Sequence, residues 1–117
     1  MLDFNGTKIY LACGATDFRN SINGLSAKVQ MDFGMSPFET GTLFVFCNKA
    51  KTGLKILEWE NSGFWLYYKR LEYGTFRWPK DDEPVMELTA DELALLLEGV
   101  KLAQKLSRKE LRPKYAC

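Results

Sequence analysis

A chain of 117 residues has room for one hydrophobic core, and 46% apolar with 26% charged residues is the balance of an ordinary globular domain. Apolar runs such as Leu93 to Leu97 fall far short of the roughly 20 residues that a membrane span needs, and a chain without histidine excludes Ser-His and Cys-His nucleophiles. The net charge of +1 hides a segregated pattern: ten bases against seven acids over residues 1–80, seven acids and no base over 81–100, and six bases against Glu110 over 101–117.

Lys8 to Cys13 predicts a buried strand stopped by Gly14, because a short β-rich apolar run is bounded by a breaker. Ile22, Leu25, Val29 and Phe33 then recur at helical spacing, with Gly34 and Pro37 as the stop, which predicts a helix over 21–33 with one buried stripe. Thr42 to Cys47 is apolar on both faces and is expected at the centre of a sheet. Leu54 to Trp59 and Phe64 to Leu71, joined by Glu60-Asn61-Ser62-Gly63, and Thr75 to Trp78 after the Tyr73-Gly74 turn, predict further strands of an antiparallel meander ended by Pro79. Lys80 to Pro84 is a charged connector, and Thr89-Ala90-Asp91-Glu92 has the form of a capping box that starts a second helix at Thr89. The expectation is an α+β fold, an antiparallel β-meander packed against one or two helices, with a single domain over 1–99 and a basic C-terminal tail over 100–117, helical or loose.

Cys13, Cys47 and Cys117 form no CxxC pair and read as neither a disulfide framework nor a metal set. The start Met1 to Gly6 lacks a secretory pattern, so the expected location is the cytoplasm. No metal, cofactor or small-molecule substrate is expected. Acids that follow Thr89 and bases that come later suit the dipole of one helix, and equally suit a tail that meets a charged partner.

The stretch Leu54 to Lys80 sets Lys55, Lys69, Arg70, Arg77 and Lys80 among Trp59, Trp65, Tyr67, Tyr68, Phe76 and Trp78. Strand alternation sends Trp65, Tyr67, Lys69 and Leu71 to one face and Phe64, Leu66, Tyr68 and Arg70 to the other. Cations attract phosphate oxygens and flat rings stack on bases, so such a surface suits nucleic acid; the bland alternative is that the rings are core and the bases snorkel at its rim. Asn48 to Gly53 predicts an exposed turn carrying Lys49 and Lys51. The candidate nucleic-acid-binding set is Lys49, Lys51, Lys55, Lys69, Arg70 and Arg77. Asp17 and Arg19, within Thr16-Asp17-Phe18-Arg19, form a structural motif in which Asp17 either orients Arg19 or caps the following helix.

Several blocks together carry a resemblance: Thr16-Asp17-Phe18-Arg19 with Gly24-Leu25, Pro37-Phe38, Gly41 to Phe46, Lys55-Ile56-Leu57 with Trp59, and Gly63 with Leu66, Tyr68 to Glu72, Gly74, Phe76 and Trp78-Pro79. In these the chain resembles the TnpB accessory proteins of the insertion-sequence-66 family, over roughly residues 8 to 99. The resemblance implies a non-catalytic accessory protein of bacterial DNA transposition, encoded beside a separate transposase, with that transposase and DNA as expected partners. It departs from the family pattern after Phe46, where two lysines stand in a turn usually rich in arginine, and lysine lacks arginine's bidentate geometry. Two further readings are open to the sequence. One is a protein-only adaptor or oligomerisation module that makes no DNA contact; the other is a magnesium-dependent nuclease using Asp17, Asp32, Glu58 or Glu60, for which no acidic motif of recognisable spacing speaks.

Overall fold

The computed structural model describes residues 6–80 and 82–98. Lys8–Ala12 (β1) is followed by a crossover through Ile22–Asp32 (α1) and then by Thr42–Cys47 (β2), which lies parallel to β1. Gly53–Glu60 (β3) and Gly63–Arg70 (β4) continue antiparallel from β2, and Val85–Leu88 (β5) pairs antiparallel with the far side of β1. The five strands form one sheet in the order β4-β3-β2-β1-β5. Ala90–Leu97 (α2) completes the described chain.

The α+β domain read from the sequence is present, with β2 in the central position that its double-sided apolar pattern implies. All six of its residues are buried. On one face Leu25 and Val29 of α1 pack on Ala12, Phe44, Phe46 and Leu57. On the other, Leu93 and Leu96 of α2 join Ile9, Leu11, Leu43, Val45, Leu54 and Ile56. Phe44 and Phe46 are essentially inaccessible, and burial of this kind contributes about 1.5–3 kcal/mol per side chain.

Helix ends follow local chemistry. Gly34 sits at φ 64°, a left-handed conformation that turns the chain back and lets the Met35 amide donate to the Val29 carbonyl at 3.2 Å. Thr89 forms the capping box its sequence announces: its hydroxyl accepts from the Glu92 amide at 3.1 Å, and Glu92 accepts from the Thr89 amide at 2.8 Å.

The antiparallel meander is present as β2-β3-β4, and the helical crossover adds β1 parallel to β2, so the whole sheet is mixed. One expectation needs correction. Thr75 to Trp78 is not a strand of the meander. Its side chains do alternate, with Phe76 and Trp78 buried and Thr75 and Arg77 exposed. Its bonds run elsewhere: the Phe76 amide donates to the Lys51 carbonyl at 2.7 Å and the Trp78 indole to the Ala12 carbonyl at 2.8 Å. A period of two marks an extended chain with one face buried, and an extended chain laid across strand ends satisfies it without a ladder. The fifth strand is instead Val85–Leu88, a four-residue edge between the connector Lys80 to Pro84 and the capping box at Thr89, a stretch for which the sequence predicts no element. The tail over 100–117 lies outside the described residues.

Candidate nucleic-acid interface

In a parallel strand pair the loops that leave both carboxyl ends emerge side by side, which is where α/β folds tend to hold ligands. Here the loop 13–21 leaves β1 and the turn 48–52 leaves β2, and the Thr16 amide joins them by donating to the Cys47 carbonyl at 2.7 Å. Asn48 organises the turn from within. Its side-chain carbonyl accepts from the Thr52 and Gly53 amides, each at 3.0 Å, while Lys51 adopts φ 62°. The Leu71 amide closes on the Thr52 carbonyl at 2.8 Å, so the segment after β4 wraps over this same end.

The effect is to gather cations that are distant in sequence. Lys51 and Lys80 line one cleft of about 210 Å³, Lys49 and Arg19 with its ion-pair partner Asp17 line a second of about 420 Å³, and Ala15 and Asn48 belong to both. Lys49, Lys51, Arg77 and Lys80 are exposed. Arg77 follows Phe76, whose amide binds the Lys51 carbonyl, and Arg70 stands opposite Gly53 in the β3–β4 register. Four of the sequence-nominated bases, Lys49, Lys51, Arg70 and Arg77, therefore surround one turn. Arg70 shares its charge with Glu72, at 3.1 Å on the surface.

Lys55 and Lys69 are placed differently. The Lys55 ammonium donates to the Phe18 and Asn20 carbonyls, both at 3.1 Å, and lies 4.7 Å from the Phe18 ring centre. It ties the loop 16–20 to β3. Lys69 lies on the opposite face and donates to the Leu97 carbonyl at 2.6 Å, where a cation meets the negative end of α2. Replacing Lys55 with methionine keeps most of the apolar stem and strands two carbonyls. It should cost about 1–3 kcal/mol in urea unfolding.

Asp17 resolves the choice left by the sequence. Its carboxylate takes the Arg19 side chain, with Nε at 2.9 Å from Oδ2, and also the Arg19 amide at 2.9 Å. The residue before α1 is Ser21, without a side-chain capping bond. The Arg19 hydrogen bonds hold the Asp17 carboxyl well below the usual range, at about 2, and raise the guanidinium in turn. A carboxyl lowered in the folded state contributes stability above its unfolded value, and that contribution fades as pH falls through about 2. Carboxyl-carbon NMR should give a midpoint near 2 for Asp17, and Arg19→Gln should move it up towards the ordinary value.

Arg19 and Lys80 are the cations that sequence reasoning left out of the binding set. Arg19 was absorbed into a structural motif and Lys80 into a connector; only the tertiary contact of loop 13–21 with turn 48–52 reveals their position. The four carboxylates considered for magnesium are each engaged elsewhere: Asp17 with Arg19, Asp32 with Lys28 at 2.9 Å, Glu58 with the Tyr67 hydroxyl and Glu60 with the Trp65 indole, both at 2.8 Å. Burial, helped by the Glu58 hydrogen bond, pushes the Tyr67 phenol up to about 12. Burial likewise lifts the Cys47 thiol to about 12, so it behaves as the core hydrophobe the sequence implied.

Fold and site together define a small α+β domain with a cation-rich loop cluster at one end of its sheet. The family model described as IS66 Orf2 like protein matches residues 7–107, and the chain belongs to that family. It is thus a transposition-associated accessory protein. Among curated relatives, the uncharacterized protein y4jC of Sinorhizobium fredii is 32% identical over 108 residues, covering 92% of each chain. The uncharacterized protein y4hO of the same organism is 31% identical over 93 residues, covering 80% of each. No solved structure matches the chain. Among the described residues, no helix is long and apolar enough to cross a membrane.

Proposed function

We propose that the protein assists transposition as a non-catalytic nucleic-acid-binding module that works beside the transposase of the same element, with its loop cluster as the phosphate contact. The observation that carries this reading is convergence: Arg19, Lys49, Lys51 and Lys80 come from three separate segments and line two adjoining clefts. Arg70 and Arg77 extend the surface. Lys55 and Lys69 support it indirectly, one by fixing the loop 16–20 and the other by anchoring α2. The cations offer charge without a pattern of base-reading side chains, which fits backbone binding better than sequence recognition. The place of action is the cytoplasm.

A second reading, an adaptor that touches only protein, is favoured by the near-neutral net charge of +1. Co-purification of the transposase with the tagged full chain, with and without nuclease treatment, separates the two. The proposed function expects binding of purified protein to duplex or single-stranded DNA and a nuclease-sensitive share of the transposase signal. Undiminished transposase contact after nuclease, from a protein that ignores DNA, would establish the adaptor instead.

A further inference from the structure

The outer edge of β4 is long and without a strand partner among the described residues. Eight residues without proline present it, and they carry Trp65, 55% exposed, on one face and Tyr68, 59% exposed, on the other. The opposite edge, β5, is handled in the way natural sheets handle a vulnerable edge: it has four residues, follows Pro84 and exposes Glu87. The contrast sets β4 apart as the longer, proline-free edge of the sheet.

Its hydrogen-bonding phase follows from the hairpin. The two-residue turn Asn61-Ser62 closes on the Glu60–Gly63 pair, and the Leu71 amide donates to the Thr52 carbonyl in the same register. Residues 63, 65, 67, 69 and 71 therefore bond inward to β3. Phe64, Leu66, Tyr68 and Arg70 turn their amides and carbonyls outward.

We infer that β4 pairs antiparallel with β4 of a second copy of this chain, continuing the sheet across a two-fold axis near Leu66. An antiparallel copy brings the Arg70 end of one strand beside the Gly63 end of the other. With Leu66 opposite its own copy, Trp65 faces Tyr67 on one side of the sheet and Phe64 faces Tyr68 on the other. Aromatic cross-strand pairs of this kind stabilise antiparallel ladders. The edge is complementary to itself in ring placement, and a net charge of +1 per chain opposes association very little.

Sedimentation equilibrium of the full chain over a concentration series, paired with amide hydrogen exchange, tests this. The expected result is a reversible species of twice the 13.4 kDa chain mass, in which the Leu66 and Tyr68 amides are protected and lose that protection on dilution. Leu66→Pro deletes an outward amide and sets its ring in the partner's path while the inward bonds of Trp65 and Tyr67 remain, so it should give a folded monomer. Should that variant not fold, the exchange pattern of the native chain decides. A monomer at submillimolar concentration overturns the inference, as does a dimer whose Leu66 and Tyr68 amides exchange freely. Concentration-independent protection in a monomer also overturns it, since another part of the chain would then cover the edge.

Discussion

Trp78→Ala should unfold at a stability lower by about 3–5 kcal/mol, the largest loss expected from any single substitution near the loop cluster. Trp78 is 7% exposed, packs edge-on against Phe76 at 6.5 Å and belongs to the core on the α2 side of the sheet. Its indole also donates to the Ala12 carbonyl at the end of β1, so truncation opens a cavity and leaves a polar group unpaired. Trp78→Phe separates these effects. It keeps most of the ring volume and should cost only about 1–3 kcal/mol, chiefly for the unpaired carbonyl. Because the same segment holds Lys80 against the clefts, Trp78→Ala protein that remains folded should also bind nucleic acid more weakly. Urea unfolding followed by tryptophan fluorescence and far-UV circular dichroism measures the first effect directly.

Converting Arg19, Lys49, Lys51 and Lys80 to glutamine should lower affinity for duplex DNA by about a hundred-fold at low salt and leave the fold intact. All four side chains are exposed, and none is part of the core. Lys49→Gln with Lys51→Gln alone should remove about 1.8 from the salt slope, on the basis of about 0.9 per phosphate contact. By contrast, Lys69→Gln should change stability rather than slope, since its ammonium is spent on the Leu97 carbonyl. That contrast distinguishes a shaped site from diffuse positive charge.

Most of the secondary structure was legible because periodicity and caps are local. The stripe Ile22, Leu25, Val29 and Phe33 and the Thr89–Glu92 box specify their helices without reference to anything else in the chain. The faces of β4 were also legible, since alternation alone sends Tyr67 towards the α2 side and Leu66 towards the α1 side. What alternation does not specify is a partner. Phe76 and Trp78 satisfy it by covering the ends of β1 and β2, and Val85 to Leu88 pairs with β1 although four residues are too short a run to announce a strand. The candidate site was legible in part: turn chemistry placed Lys49 and Lys51 on the surface. Lys55 was equivalent to them as sequence, and only the structure shows it spent on two carbonyls; for Arg70 the sequence already offers Glu72 or Glu58 as a partner, and the structure pairs it with Glu72. Charge is local, whereas its availability depends on tertiary neighbours.

The most direct test of the account is the affinity of the full chain for element-end duplex, random duplex and single-stranded DNA, followed by fluorescence anisotropy between about 50 and about 200 mM salt. Four phosphate contacts predict a logarithmic slope of about −3.6, which is roughly a hundred-fold loss over that fourfold change, similar for the two duplexes and flattened in the four-glutamine variant. Absence of DNA binding at the lowest salt, or an affinity and slope that the four-glutamine variant leaves unchanged, would contradict the assignment of the loop cluster as the nucleic-acid contact.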